Sequence, residues 1–282
     1  MGRVTTDAAP AFRLTIGPRP DGDGPDLSPP PGSVTETVEG CTVVSHQDRL
    51  WLSVGDRAVA VIDPGEIQLY GPVDTEADLK ELDDVAQFSL AAAVAGPDRM
   101  MVHGAGLARG DQAVVIVGAS GRGKSTLAVS GLLAGWKLLG DDLAVVRPSS
   151  GEVQAVARPP MVDRDLAKRH DLDGEPAMDR RERIVLPADI LDLDVHTLQG
   201  LIIVDHDTGG GRVERCQLDL DVFDAALAVP PARIIVQQHL SAAAALIRYP
   251  VVRLYHDVEP STRVARAQEL LDQAFDLLQP AA

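Results

Sequence analysis

The chain has 282 residues, of which 45% are hydrophobic and 24% charged, and a net charge of −16. That length fits about two domains of roughly 150 residues, or one large domain with an appendage, and suffices for a sizeable core. So acidic a balance argues against a nucleic-acid backbone or an anionic membrane as partner. Two cysteines, Cys41 and Cys216, make neither a disulfide framework nor a zinc site.

No apolar run reaches the ~18 residues of a membrane span. The N-terminus, Met-Gly-Arg-Val-Thr-Thr, lacks the apolar core of a signal peptide, so a cytoplasmic protein is expected. Residues Gly17 to Gly32 hold six prolines and four glycines. Such a stretch buries little, and residues 1–35 read as a mobile tail. Cys41–Ser45, Leu50–Val54 and Ala58–Ile62 are short β-like runs separated by turn-like stretches, which predicts a small antiparallel sheet. From Asp74 to Ala95 apolar residues recur at three- and four-residue steps, the period of a helix, and Gly96-Pro97 stops it. Residues 36–97 thus form a small β-rich region plus a helix, and 98–282 a second domain.

In that second domain Met100–Leu107 and Gln112–Val117 read as strands, and Ser125–Ala134 as a helix closed by Gly135. Trp136–Leu139 and Leu143–Arg147 read as strands flanking Gly140-Asp141-Asp142. Residues 148–195 alternate short apolar runs with charges and give no clear period. Leu198–Val204 is a strongly apolar strand, with Arg212–Leu218 as its expected hairpin partner. Val222–Ala228 and His239–Ile247 are short helix candidates, Val251–Tyr255 a last strand, and Ser261–Leu278 a helix capped by its serine.

Residues 118–126 read Gly118-Ala119-Ser120-Gly121-Arg122-Gly123-Lys124-Ser125-Thr126. This fits G-x-x-x-x-G-K-[ST], the phosphate-cradling loop. Glycines permit positive φ and let backbone N–H groups approach phosphate oxygens. The lysine reaches the β/γ-phosphates, the serine hydroxyl can ligate Mg²⁺, and the helix beginning there adds its partial positive charge. Ala113–Val117 before the loop and the helix after it supply the strand–loop–helix order that the motif requires. Lys124 is one of only four lysines in the chain.

Phosphoryl transfer also needs a carboxylate for the metal. Asp141-Asp142 ends the next strand, and Asp205 ends Leu-Ile-Ile-Val. Neighbouring strand residues point to opposite faces, so the Asp pair can serve two roles, one holding Mg²⁺ and one taking a proton. Asp205, followed by His-Asp-Thr-Gly-Gly-Gly, reads instead as the tip of a polar hairpin. His206 has no second histidine at ligand spacing. Arg122, Arg158, Arg164, Arg248 and Arg253 are surface candidates for phosphate contacts.

Residues 102–146, from Val-His-Gly-Ala-Gly through the glycine loop to Gly-Asp-Asp-Leu-Ala-Val-Val, resemble the C-terminal domain of the HPr serine kinase/phosphorylase family. The resemblance implies an α/β P-loop kinase domain of the HPr kinase/phosphoenolpyruvate carboxykinase type with a mixed sheet. It also implies ATP and Mg²⁺ as cofactors and a homo-oligomer. By the same resemblance His103 is a strand histidine near the catalytic carboxylate, Asp141 the base and Asp142 the magnesium contact. The family's further Glu-x-x-Gly-Leu-Gly signature is missing; the corresponding stretch is Ala155–Arg169. The expected activity is γ-phosphoryl transfer to a hydroxyl of a peptide, protein or small-molecule acceptor. A non-transferring nucleotide-binding regulatory module is the alternative. A guanine-reading Asn-Lys-x-Asp is excluded, because the chain contains no asparagine.

Overall fold

The computed structural model describes residues 13–17, 27–38, 41–54, 58–94, 96–156, 160–177, 182–206, 211–218, 233–256 and 263–279. The fold is mixed α/β, with several sheets and few helices among these residues. The chain divides into two compact units. One is Met1–Ala95 with Val229–Gln238, the other Gly96–Ala228 with His239–Ala282.

The first unit holds β1 (Arg13–Gly17), β2 (Val34–Val38), β3 (Cys41–His46), β4 (Arg49–Val54), β5 (Ala58–Asp63), β6 (Glu66–Tyr70) and α1 (Glu76–Val94). The six strands order as β1-β6-β5-β4-β3-β2. The period-two pattern is visible in the register. Val43, Leu52, Ala60 and Leu69 face one another across the strands, and all are buried. Their neighbours Val44, Trp51 and Val61 form a separate cluster with Leu27 and Tyr70. β1 lies within the stretch expected to be a tail. It pairs in parallel with β6, Leu14 opposite Ile67, because Arg13-Leu-Thr-Ile-Gly17 precedes the proline-rich run and can form a ladder. α1 is capped reciprocally: Thr75 N–H donates to Asp78, and Asp78 N–H to the Thr75 hydroxyl, satisfying two helix-end groups.

The second unit is built on a nine-stranded sheet. Its elements in order are β7 (Met100–His103), β8 (Ala105–Arg109), β9 (Gln112–Val117), α2 (Lys124–Leu133), β10 (Lys137–Gly140), β11 (Leu143–Arg147) and β12 (Glu152–Ala155). Next come β13 (Met161–Asp163), α3 (Arg164–Arg169), β14 (Glu175–Pro176) and β15 (Arg183–Val185). β16 (Val195–His206), β17 (Arg212–Cys216), α4 (Arg233–Leu246, of which this unit takes the part from His239 on), β18 (Val251–His256) and α5 (Arg263–Leu278) complete it. β13, β15 and β14 make a small separate sheet. Both faces of the large sheet are covered. Val114, Ile116, Ile202, Val204 and Leu254 pack with α2 and α5. Val115, Val117, Leu201 and Ile203 pack with Ala242, Ala243 and Leu246 of α4. Burial on both sides explains why 113–117 and 201–204 are continuous apolar runs.

Three sequence expectations need correction. Met100–Leu107 is two strands broken at Gly104, not one. β10 and β11 are likewise interrupted at Asp141-Asp142, and the two breaks face each other: Gly104 N–H donates to the Asp142 carbonyl at 2.9 Å. Arg212–Cys216 does not pair with β16. β18 lies between them, parallel to β16 and antiparallel to β17, so the expected hairpin is replaced by a crossover. The helix read at His239–Ile247 begins earlier, at Arg233. Val222–Ala228 and the serine cap of α5 fall outside the described residues.

At Gly104 a Cβ would lie 2.5 Å from the Ile116 carbonyl oxygen, so the break requires a residue without one. Gly104→Ala is expected to cost about 1–3 kcal/mol in urea unfolding. Gly96→Ala, whose Cβ would meet nothing within 4 Å, is expected to be near neutral.

Candidate functional site

The glycine loop leaves β9 at the C-terminal ends of the parallel strands β9, β16 and β18, the end of an α/β sheet where ligands bind. Gly118, Gly121 and Gly123 have φ of 150°, 79° and 97°. Gly118 is also pressed on the sheet, where a Cβ would lie 2.8 Å from the Val204 carbonyl. Ala119, Ser120, Gly121 and Arg122 are exposed on the rim. A turn closes it, with Arg122 N–H donating to the Ala119 carbonyl at 3.3 Å. Gly123 caps α2 in the left-handed conformation, with no side chain on the helix N-terminus and no acidic residue in its first turn. The helix itself therefore carries no carboxylate against the partial positive charge of its end N–H groups.

Lys124 is 8% exposed and reaches back along the loop, donating to the Gly118 carbonyl at 2.8 Å. Burial lowers its pKa, while the charges of Asp142 and Asp141 raise it, which places the ammonium in the field of both carboxylates. The Thr126 carbonyl accepts from the Ser130 hydroxyl inside α2, so this residue anchors the helix behind the loop.

Asp141 is buried, and desolvation, followed by the charge of Asp142, raises its pKa from 3.8 to about 6. Hydrogen bonds from the Ser125 hydroxyl and the Met161 backbone N–H, together with the charge of Arg183, act in the opposite direction. Its Oδ1 is buried with no hydrogen-bond partner. Asp142 is half-buried beside it. His103 ends β7 directly opposite Leu143, the residue after the pair. A shallow recess opens here, lined by both carboxylates with Gly140, Leu143, Val156, Pro160 and Met161.

Lys124, Ser125 and the two carboxylates are thus brought together by the strand break opposite Gly104, with His103 on the adjoining strand end. Arg164 is exposed at the start of α3, and Arg248 is exposed after α4. Arg158 lies outside the described residues. Asp205 is not a bare hairpin tip. Its carboxylate faces Arg122 at 3.3 Å and Arg253 at 3.7 Å, so Arg122, though exposed, is paired with a carboxylate. His206 does have a second histidine beside it. His256 lies with its ring centroid 4.9 Å away, and both rings contact the loop. Sequence spacing missed His256 because 134 positions separate it from Arg122, its partner. The detectable signal was the polar ending shared by two apolar strands, Asp-His after Leu-Ile-Ile-Val and Tyr-His after Val-Val-Arg-Leu.

No protein-family model and no curated protein matches this chain. Among solved structures, the HPr(Ser) kinase/phosphatase from Coxiella burnetii is similar over 62% of this chain and 89% of its own, at 12% identity and a TM-score of 0.31. No helix among the described residues is long and apolar enough to cross a membrane.

Among the described residues no group of three or more His, Cys, Asp or Glu is spaced to hold a metal. Magnesium does not need one, since it takes one or two carboxylates and completes its shell with water and phosphate oxygens. The Ser125 hydroxyl, the unpartnered Asp141 oxygen and Asp142 are oxygen donors of that kind.

The raised pKa of Asp141 has a consequence for stability. The folded state holds this proton more tightly than the unfolded chain. Its stabilising contribution is therefore full below pH 3.8 and lost as the pH rises through about 6. Asp141→Asn, measured by urea unfolding in chelator and without nucleotide, is expected to remove that decline and to be the more stable protein at neutral pH.

Proposed function

We propose that the second unit is an ATP-dependent phosphotransferase that moves the γ-phosphoryl group to a hydroxyl of a peptide, protein or small-molecule acceptor. The observation that carries the reading is the contact between the glycine loop and the carboxylate pair. Ser125, at the start of α2, hydrogen-bonds a buried carboxyl whose pKa is raised to about 6, suited to exchanging a proton near neutrality.

The loop N–H groups, the α2 N-terminus and Lys124 would hold the phosphates. Ser125 with one carboxylate would hold Mg²⁺, which supplies charge neutralisation on the phosphate oxygens. The other carboxylate would accept the proton of the acceptor hydroxyl, and the recess beside Asp141 is where that acceptor would enter. Its walls are mostly apolar, so a neutral or basic acceptor fits better than a polyanion on a chain of charge −16. Catalysis of this type is chiefly positioning and charge stabilisation.

The resemblance assigns the base to Asp141 and the metal to Asp142. One observation favours the exchanged assignment: the carboxyl in contact with the metal-binding hydroxyl Ser125 is Asp141. The two are separable. Both Asp→Asn variants are expected to lose phosphoryl transfer by about 10²-fold or more, followed by mass spectrometry of the acceptor after incubation with MgATP. The base variant keeps wild-type MgATP affinity, while the metal variant loses the dependence of ATP affinity on Mg²⁺. Nucleotide binding without transfer to any hydroxyl co-purifying with the protein would instead support a regulatory module.

A further inference from the structure

The C-terminal ends of β16 and β18 converge on the carbonyl side of the glycine loop. The two strands are parallel, and their last paired residues are His206 and His256. Nε2 of His206 lies 3.2 Å from the Gly121 carbonyl oxygen, and Nε2 of His256 lies 2.8 Å from that of Arg122. A carbonyl only accepts, so each imidazole donates an Nε2–H to the loop. The same stretch is gripped through its side chain, since Asp205, one residue before His206, faces the Arg122 guanidinium at 3.3 Å. Contact with the loop is close. A Cβ on Gly123 would lie 2.3 Å from His256 Nε2.

We propose that His206 and His256 are positioning residues that fix the orientation of the peptide units 121–122 and 122–123. The inference rests on the phosphate-binding reading above. A trans peptide unit is planar, with its C=O and N–H on opposite sides. No cis peptide occurs among the described residues. Drawing the Gly121 carbonyl toward His206 therefore turns the Arg122 N–H into the turn it closes with Ala119. Drawing the Arg122 carbonyl toward His256 turns the Gly123 N–H away from that ring, toward the α2 N-terminus where an anion would sit. The two rings brace the loop in a binding geometry before any ligand arrives. Such preorganisation spares the ligand the entropy of ordering the loop. His206 Nδ1 is buried without a hydrogen-bond partner. A hydrophobic ring in its place would avoid that desolvation, so packing alone does not account for the imidazole.

The test uses the whole chain as His206→Ala/His256→Ala, with His256→Gln as the variant that keeps an N–H donor. Hydrogen exchange of amides in residues 118–126 is measured on the nucleotide-free protein, and affinity with a fluorescent ATP analogue plus Mg²⁺. The double alanine variant is expected to exchange faster in the loop and to bind the analogue about tenfold more weakly, with an unchanged far-ultraviolet circular dichroism spectrum. His256→Gln is expected to stay near wild type in both. Loop exchange no faster than in wild type overturns the proposal, as does an unchanged affinity. If the wild-type protein itself fails to bind the analogue, the phosphate-binding reading has failed, and the exchange rates by themselves decide whether the histidines hold the loop.

Discussion

Two parallel ladders meet on β16. Thr197 to Ile203 pair with β9 on one side, and Leu201 to His206 pair with β18 on the other. That double pairing places the glycine loop, which leaves β9 after Val117, beside Val204 and the polar residues that end β16 and β18. Register matters because a slip of one residue would exchange the two faces of an apolar strand buried on both. Ile202 and Val204 would then meet α4 instead of α2 and α5. The loop, its carbonyl contacts and the cover of both sheet faces all follow from one alignment.

The other half of the site depends on an interruption rather than a ladder. β7–β8 and β10–β11 are two long antiparallel stretches that bend at the same level, Gly104 against Asp142. Residues freed from regular pairing there can present carboxylates to Ser125 and Lys124. A buried acid is costly unless it is paired or hydrogen-bonded. Asp141 has a hydroxyl, a backbone N–H and two cationic side chains in its surroundings, and its pKa is still raised. The chain's overall acidity is background to this local balance of four charged groups.

What was legible in the sequence was contiguous. Gly118 to Thr126 lie on one strand–loop–helix unit, and the Asp pair sits at the next strand end, so local pattern sufficed to bring them forward. The period-two runs 41–62 gave their sheet for the same reason. What was not legible depended on non-local pairing. Placing β18 between β16 and β17 requires knowing that α4 crosses back over the sheet. His256 becomes relevant only once that crossover has aligned it with His206. Asp205 looked like a hairpin tip because its partners, Arg122 and Arg253, lie 83 positions before it and 48 after it in the numbering. The Arg13–Gly17 strand was hidden by the proline-rich segment that follows, whose composition dominated the reading of residues around it.

Gly123 meets two independent demands, a φ of 97° and a Cβ position 2.3 Å from His256 Nε2. In genetic terms, such a residue has no single-site suppressor. Shrinking His256 would relieve the contact and leave the left-handed backbone, whereas relaxing the backbone would move the cap of α2. The loop can therefore drift in sequence at its exposed rim, at Ala119 and Ser120, but not at its junction with the helix.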